Sequence, residues 1–189
     1  MPCRSGTGYS FCLRESDGHG QACDTLRPAM PFAAPPFLVR PALPKEAPTL
    51  IDFQLRMARE TEGLELAPEV LTRGVHAVFA DPTKGRYWVA VAAGGAGRIA
   101  GGLLTTSEWS DWRNGTILWI QSVYVLPEER GHGVYRSLYE TLKRTVEGSP
   151  GLAGIRLYVD RRNEAAQRAY ERLGMTREHY DLYEWLKPP

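Results

Sequence analysis

The sequence predicts a single α/β domain of the α+β kind, and three observations carry that prediction. From Phe37 onward, apolar stretches with a period of two alternate with stretches of helical period. Two of the junctions, at residues 123–146 and 155–173, run strand, polar turn, helix. A length of 189 residues with 43% hydrophobic content suits one core.

The elements follow in order. Phe37 to Arg40 reads as a short first strand. Residues 45–60 and 68–80 are amphipathic helices, and Pro68 sits where a first helical turn tolerates proline. Residues 86–92 and 98–106 read as strands joined at Gly94-Gly-Ala-Gly97. No helix follows those glycines, so they predict a hairpin turn and not a phosphate loop. Residues 116–125 are apolar on both faces, with Ile117, Trp119 and Val123 against Leu118, Ile120 and Tyr124. A central strand has that pattern, which predicts Trp119 and Tyr124 in the core. The next helix sets Val134, Leu138, Leu142 and Val146 on one face, and residues 155–159 form a further strand. Asn163 is a good N-cap for a helix over residues 164–173, and Gly174 is a good residue to end it. Ala166, Tyr170 and Leu173 share a face of that helix, and a last strand is predicted near residues 180–186.

The chain divides near residue 36. Residues 1–36 lack apolar periodicity and close on Pro28, Pro31, Pro35 and Pro36, which predicts a flexible extension ahead of a folded domain at 37–189. Cys3, Cys12 and Cys23 all lie in the extension at spacings that fit no zinc or redox pattern. Neither a metal site nor a cysteine nucleophile is expected. A net charge of +1 gives no electrostatic case for nucleic acid or an acidic membrane. No apolar run approaches the ~20 residues that span a bilayer, and the N-terminus has no hydrophobic signal core. A soluble, cytoplasmic protein is the expectation.

The chemistry concentrates in Val123-Tyr-Val-Leu-Pro-Glu-Glu-Arg-Gly-His-Gly-Val-Tyr135. Glycines between a strand and a helix let the backbone approach a ligand closely. The first amides of the helix have no intrahelical partner and sit at the positive end of its dipole. Arg130 adds a charge whose fork suits phosphate. The segment lacks the Gly-Lys-Ser/Thr ending that places a lysine and hydroxyl on a nucleoside triphosphate. It also lacks the dinucleotide fingerprint, because Arg136 stands at the third glycine position.

Arg130-Gly-His-Gly133 resembles the acyl-CoA pyrophosphate loop of the GNAT superfamily of N-acetyltransferases, Gln/Arg-x-x-Gly-x-Gly/Ala, with Tyr135 a departure at its last position. Asn163 and Ala169-Tyr-Glu-Arg-Leu-Gly-Met175 resemble that superfamily's second cofactor segment, with Met175 in place of the more usual Phe. The resemblance spans roughly residues 37–186 and implies a central mixed, mostly antiparallel sheet flanked by helices. It implies acetyl transfer from acetyl-CoA to an amine, by direct attack within a ternary complex. Cofactor contacts then fall on Val123, Tyr124, Val125, Arg130, Gly131, His132, Gly133, Val134, Tyr135 and Asn163, with the Val123 amide a candidate oxyanion donor.

Tyr170 is the catalytic residue that the resemblance assigns, as the acid facing the leaving thiolate. Its ordinary pKa of ~10 lies above the ~8.5 of a thiol, so full proton transfer would cost on the order of 2 kcal/mol. A strong hydrogen bond and outright protonation both remain open. Family members often carry a Glu where this strand has Gln121, and a neutral amide cannot take the amine's proton. Glu108, Asp111, Glu60, Glu62 and His179 are the remaining candidate bases, while His76 and His132 read as surface residues. Trp109 and Trp112, beside Asp111, could wall an acceptor pocket with Gln121 and hold an ammonium by cation–π contact. The acceptor is a small-molecule or peptide amine, and a homodimer stays open. Tyr135 and Gln121 also favour a second reading, an acyl-CoA-binding module with weak or absent turnover.

If residues 1–36 are an extension without a core pattern, deleting them should leave melting temperature and CoA affinity nearly unchanged. Thermal melts and a calorimetric titration of the truncated and full chains check this. A large drop in melting temperature would mean that the segment packs on the domain.

Overall fold

The computed structural model describes residues 37–94, 97–177 and 181–187. Strand β1 (Phe37–Pro41) leads through a tight turn into helix α1 (Ala47–Met57), which unwinds into a π-helical turn over Ala58–Glu62. Helix α2 (Pro68–Ala80) begins at the predicted proline. Strands β2 (Arg86–Ala92), β3 (Ile99–Ser110) and β4 (Gly115–Val125) follow. Then come α3 (Val134–Glu147), β5 (Leu152–Leu157) and α4 (Glu164–Arg172), the last capped by Asn163, whose side chain accepts from the Ala166 amide at 3.1 Å.

The strands form one sheet in the order β1-β2-β3-β4-β5. The first four run antiparallel and β5 lies parallel to β4, so the sheet is mixed and mostly antiparallel, flanked by helices as the sequence implied. Helices cover both faces. Under α3, Val134, Leu138, Tyr139 and Leu142 pack on Trp88, Ala90, Leu103 and Ile120. On the opposite face Leu50 and Phe53 of α1 and Val75 of α2 pack on Tyr87, Val89 and Tyr124. Alternation along β2 explains the split: Tyr87 and Val89 serve one core, Trp88 and Ala90 the other. The buried Trp88 indole donates to the Thr105 hydroxyl at 3.1 Å, which in turn donates to the Arg86 carbonyl at 3.2 Å, so these polar groups are satisfied.

Two adjacent glycines in β3 let the helices come this close. A Cβ at Gly101 would lie 2.8 Å from the Tyr124 carbonyl and 2.9 Å from a methyl of Val134, the first residue of α3. At Gly102 it would meet Leu50 of α1 and the Trp88 carbonyl, both at 3.1 Å. Successive residues point to opposite faces, so Gly-Gly serves one helix on each side.

The structure departs from the predicted elements in five places, beginning with β3, which runs on to Ser110 where residues 98–106 were predicted and so carries Glu108 and Trp109 on the strand. The first helix ends early in the π turn. Strand β5 spans Leu152–Leu157 where residues 155–159 were predicted, because its partner strand stops pairing with it at Ile120. Trp119 is half-buried on the sheet surface and outside either core, whereas Tyr124 is buried as predicted. Residues 181–187 form no strand, and Leu182, Tyr183, Trp185 and Leu186 are all exposed there. No sheet edge pairs with them, so the alternation that suggested a strand has nothing to pack against. The extension with its cysteines, the tip of the β2–β3 turn at Gly95 and Ala96, and His179 and Tyr180 lie outside the described residues. Among the described residues no helix is long and apolar enough to cross a membrane, and no cluster of side chains could hold a metal ion.

Gly101→Ala should destabilise the fold by about 1–3 kcal/mol, because both neighbours of the new methyl belong to packed backbone or core. Denaturant unfolding of the variant measures this directly. A change below about 0.5 kcal/mol would show that α3 can ride up on the sheet without cost.

Candidate functional site

The site begins with a defect in the sheet. Along β3 and β4 the pairs run Gly101↔Val125 to Leu104↔Ser122 and then shift to Thr105↔Ile120, leaving Gln121 as an extra residue on β4. A bulge of this kind bends the strand that carries it. Pairing of β4 with β5 ends at the same level, at Ile120↔Leu157. Beyond it the two strands part, and from Gln121 to Val125 β4 has a strand neighbour only on its β3 side. A cleft of about 690 Å³ opens there, with Gln121, Ser122 and Val123 on one wall and Tyr158 and Val159 on the other.

After β4 the chain turns at Pro127–Glu129 and enters α3 through Gly131 and Gly133, both left-handed at φ 82° and 87°. Nothing lies within 4 Å of a Cβ built at either glycine, so backbone conformation sets the residue type and the loop face is open. Among the described residues the amides of Gly131, Gly133, Val134, Tyr135 and Arg136 find no hydrogen-bond partner. Those amides, at the start of a fourteen-residue helix, form a concentrated set of donors for an anion.

Arg130 is more constrained than its sequence suggested. Its Nε donates to the Val125 carbonyl at 3.1 Å and its Nη2 to Glu60 at 2.5 Å, with the guanidinium 5.6 Å from the centre of the Tyr124 ring. Glu60 comes from the π turn after α1 and also accepts from the Tyr124 hydroxyl at 2.7 Å. The Tyr124 hydrogen bond first, and then Arg130, hold the Glu60 carboxyl below its ordinary range. This cluster ties together α1, β4 and the loop before α3. It also engages the carbonyl of Val125, one of the residues that the resemblance places against the cofactor.

Tyr170 reaches the cleft from α4, and burial pushes its hydroxyl above the usual tyrosine value. Its ring stands edge-on to Tyr135, with centroids 5.3 Å apart at 63°. Tyr135 therefore packs its ring between α3 and α4. Burial raises its own pKa, and its hydroxyl is buried without a partner. Asn163 lines the cleft while its side-chain oxygen caps α4. Nearby, Asp160 is lowered to about 2 by the Arg162 side chain and amide.

Of the residues picked from sequence, Gln121, Val123, Asn163 and Tyr170 meet in the cleft, with Glu60 and Glu62 of the π turn. The other acceptor-side picks lie elsewhere. Asp111 caps the Trp112 amide at 2.9 Å, and Trp109 and Trp112 are 63% and 88% exposed. Trp112 borders a larger hollow beside β5 that adjoins the cleft, sharing Leu157, Tyr158, Val159 and Tyr170 with it, and Trp109 and Asp111 border neither. Glu108 is held by the Trp119 indole and by Arg156 at 2.9 Å, on the surface of the sheet. Gln121 donates to the Thr106 hydroxyl at 2.7 Å. Sequence reasoning missed Ser122, Thr61 and Tyr158 as cleft residues; the bulge and the π turn that bring them there leave no compositional trace.

Comparisons with known proteins agree with this geometry. The profile of the acetyltransferase (GNAT) family matches residues 52–175. A possible acetyltransferase of Clostridium difficile 630 is 38% identical, with a TM-score of 0.75 over 81% of this chain and 99% of its own. An aminoglycoside acetyltransferase from an uncultured soil metagenomic sample, solved with sisomicin, shares the fold at 14% identity. Its TM-score is 0.63 over 82% of this chain and 97% of its own. A Trypanosoma brucei acetyltransferase is similar at 18% identity and TM-score 0.59, over 79% of this chain and 99% of its own. No curated protein matches the chain.

Proposed function

The chain belongs to the acetyltransferase (GNAT) family, and on that basis we propose that it moves an acetyl group from acetyl-CoA to an amine in a ternary complex. The observation that carries the reading is the row of unpartnered amides from Gly131 to Arg136 at the start of α3, beside the point where β4 and β5 part. That donor set fits a pyrophosphate, and the open space over Gly131 and Gly133 admits one. Acetyl-CoA would supply an acetyl group on a thioester. The amine nitrogen bonds to its carbonyl carbon, the carbon–sulfur bond breaks with its electron pair leaving on sulfur, and the amine proton passes to a base or to water.

The chain's own groups act around that exchange. The loop amides hold the diphosphate, and the open edge of β4 from Gln121 to Val125 offers backbone groups to an extended arm lying in the cleft. The Val123 amide is the candidate donor to the oxyanion. Tyr170 gives its hydroxyl to the departing sulfur; burial strengthens that contact by excluding water, and among the described residues the hydroxyl has no competing partner. Gln121 at the bulge cannot take the amine's proton, although it lines the space where an acceptor would stand. Glu60 and Glu62 are the carboxylates that the π turn brings to that side. A panel of small amines, amino acids, peptides and aminoglycosides incubated with acetyl-CoA, read by mass spectrometry, tests the activity and finds the acceptor class. Binding of CoA with no acetylated product and no release of free CoA would favour the binding-module reading instead.

Gly133→Pro removes one donor amide and forces a left-handed residue to negative φ. CoA affinity should fall at least tenfold, equivalent to about 1.4 kcal/mol, in a calorimetric titration. A folded variant with unchanged affinity would overturn the loop assignment.

Tyr170→Phe keeps the ring and deletes the hydroxyl. If the hydroxyl meets charge that exists only as the bond breaks, turnover should fall by about 10²-fold with acetyl-CoA affinity unchanged. Steady-state kinetics alongside a binding titration separate the two. Near-normal turnover would exclude the role given to Tyr170.

A further inference from the structure

The hold on Tyr170 is thin. Helix α4 contains no buried residue. It meets the rest of the domain through half-buried side chains: Tyr170 itself, Leu173, and Met175 just past its end, the last two packed against the core under α3. The Tyr170 ring touches one other aromatic ring among the described residues, that of Tyr135 in the first turn of α3. Tyr135 stacks in turn on Tyr139, with centroids 6.2 Å apart at 30°, and Tyr139 is buried in that core. A ladder of three rings thus runs from the packed interior to the cleft.

The Tyr135 side chain contributes its ring to this ladder and packs against the core under α3. Among the described residues its buried hydroxyl has no hydrogen-bond partner, an arrangement that disfavours the fold. The residue also stands where the loop motif takes glycine or alanine, and neither could reach Tyr170. With a small side chain there, Tyr170 would lose the ring edge that it meets, although Leu173, Met175 and the Gln167 hydrogen bonds to the Asp160 and Arg161 carbonyls would still hold α4 in place. Edge-to-face packing constrains both the distance and the tilt of the ring it meets.

We propose that Tyr135 is a positioning residue, whose ring edge holds the Tyr170 ring at the cleft. The inference rests on the acetyl-transfer reading, in which the Tyr170 hydroxyl meets the leaving sulfur. It separates two parts of Tyr135: the backbone amide belongs to the anion site, and the ring belongs to the acid. Because an amide is present in every non-proline residue, side-chain substitutions test the second part alone. Displacing a reacting group by an ångström can cost as much as ~10²-fold in rate, so loss of the ring should be visible in turnover.

The experiment is a double-mutant cycle on purified protein with acetyl-CoA and whichever amine the panel finds. Tyr135→Ala should lower kcat by about tenfold or more, with KM for acetyl-CoA within about twofold of wild type. Tyr135→Phe, which keeps the ring edge and deletes the orphaned hydroxyl, should recover most of that loss and melt no lower than wild type. In the Tyr170→Phe background Tyr135→Ala should change kcat by less than about twofold, since the hydroxyl that it positions is already gone. Tyr135→Leu replaces Tyr135→Ala if the alanine variant does not fold, because it keeps bulk and removes the ring edge. The proposal is overturned if Tyr135→Ala or Tyr135→Leu leaves kcat intact while Tyr170→Phe impairs it. It is equally overturned if the two losses multiply, which would mark a general packing role. Normal turnover in Tyr170→Phe alone would instead sink the underlying assignment of the acid, so the two failures are distinguishable.

Discussion

The parting of β4 and β5 is the constraint from which the rest of the site follows. A parallel pair held together along its whole length would satisfy both backbone edges and leave no room between the strands. Here the extra residue Gln121 breaks the β3–β4 register at the level where Ile120 makes the last pair with Leu157. Past that point β4 keeps one neighbour and gains a free edge. Unpaired backbone groups must find partners, and groups lining a cleft find them in water or in a ligand. An extended chain carrying amides is the ligand that a free strand edge suits best.

The loop before α3 depends on that strand for its position. Val125 ends β4, and its carbonyl holds Arg130, while Val134 packs against Gly101 across the sheet. The loop and its free amides are therefore fixed from two sides: by the arginine contact at the loop's entry and by the glycine-permitted packing at the start of α3. Glu60 draws in a third element, since its carboxylate bridges the Tyr124 hydroxyl and Arg130. Arg130 is half-exposed, and surface ion pairs contribute little to stability. The value of the cluster is geometric. It holds one edge of the guanidinium against protein and limits where the other can point.

Much of this was legible in the residues because the fold's strongest signals are local. Short apolar runs gave β1 to β4 within a few residues, β4 through apolar side chains on both faces, Pro68 marked the start of α2, and Asn163 and Gly174 bracketed α4 as caps must. The glycines of the loop were readable because left-handed backbone has few alternatives to glycine. What failed was long-range. Residues 180–186 have the composition of a strand, but a strand needs an edge to pair with, and composition does not supply one. Trp119 alternates correctly, yet it faces a part of the sheet that α1 and α2 do not cover, so it lies half-exposed beside Arg156 and Tyr158. Trp109 and Trp112 suggested an aromatic wall because they are close in sequence to β4. The hairpin that carries them leaves both exposed and outside the lining of the cleft. A bulge and a π turn each depend on one residue of register, and neither has a compositional signature.

The charge arrangement in the cleft bears on how the amine loses its proton. Glu60 has two partners there, and they make it a weak base: the Tyr124 hydroxyl and Arg130 both favour its charged form. A carboxylate stabilised as an anion gives up that stabilisation when it takes a proton, so Glu60 is better suited to hold Arg130 than to accept from substrate. Glu62 shares the same turn and, among the described residues, forms no ion pair, but it is exposed to solvent. Gln121 offers an amide that can bind and cannot deprotonate. Under the proposed reading, the half-buried Tyr170, braced by Tyr135, stands on the leaving side of the reaction, and neither Glu60 nor Gln121 is suited to take the amine's proton. On that reading turnover depends on the ring ladder from Tyr139 to Tyr170, because it sets where the Tyr170 hydroxyl stands.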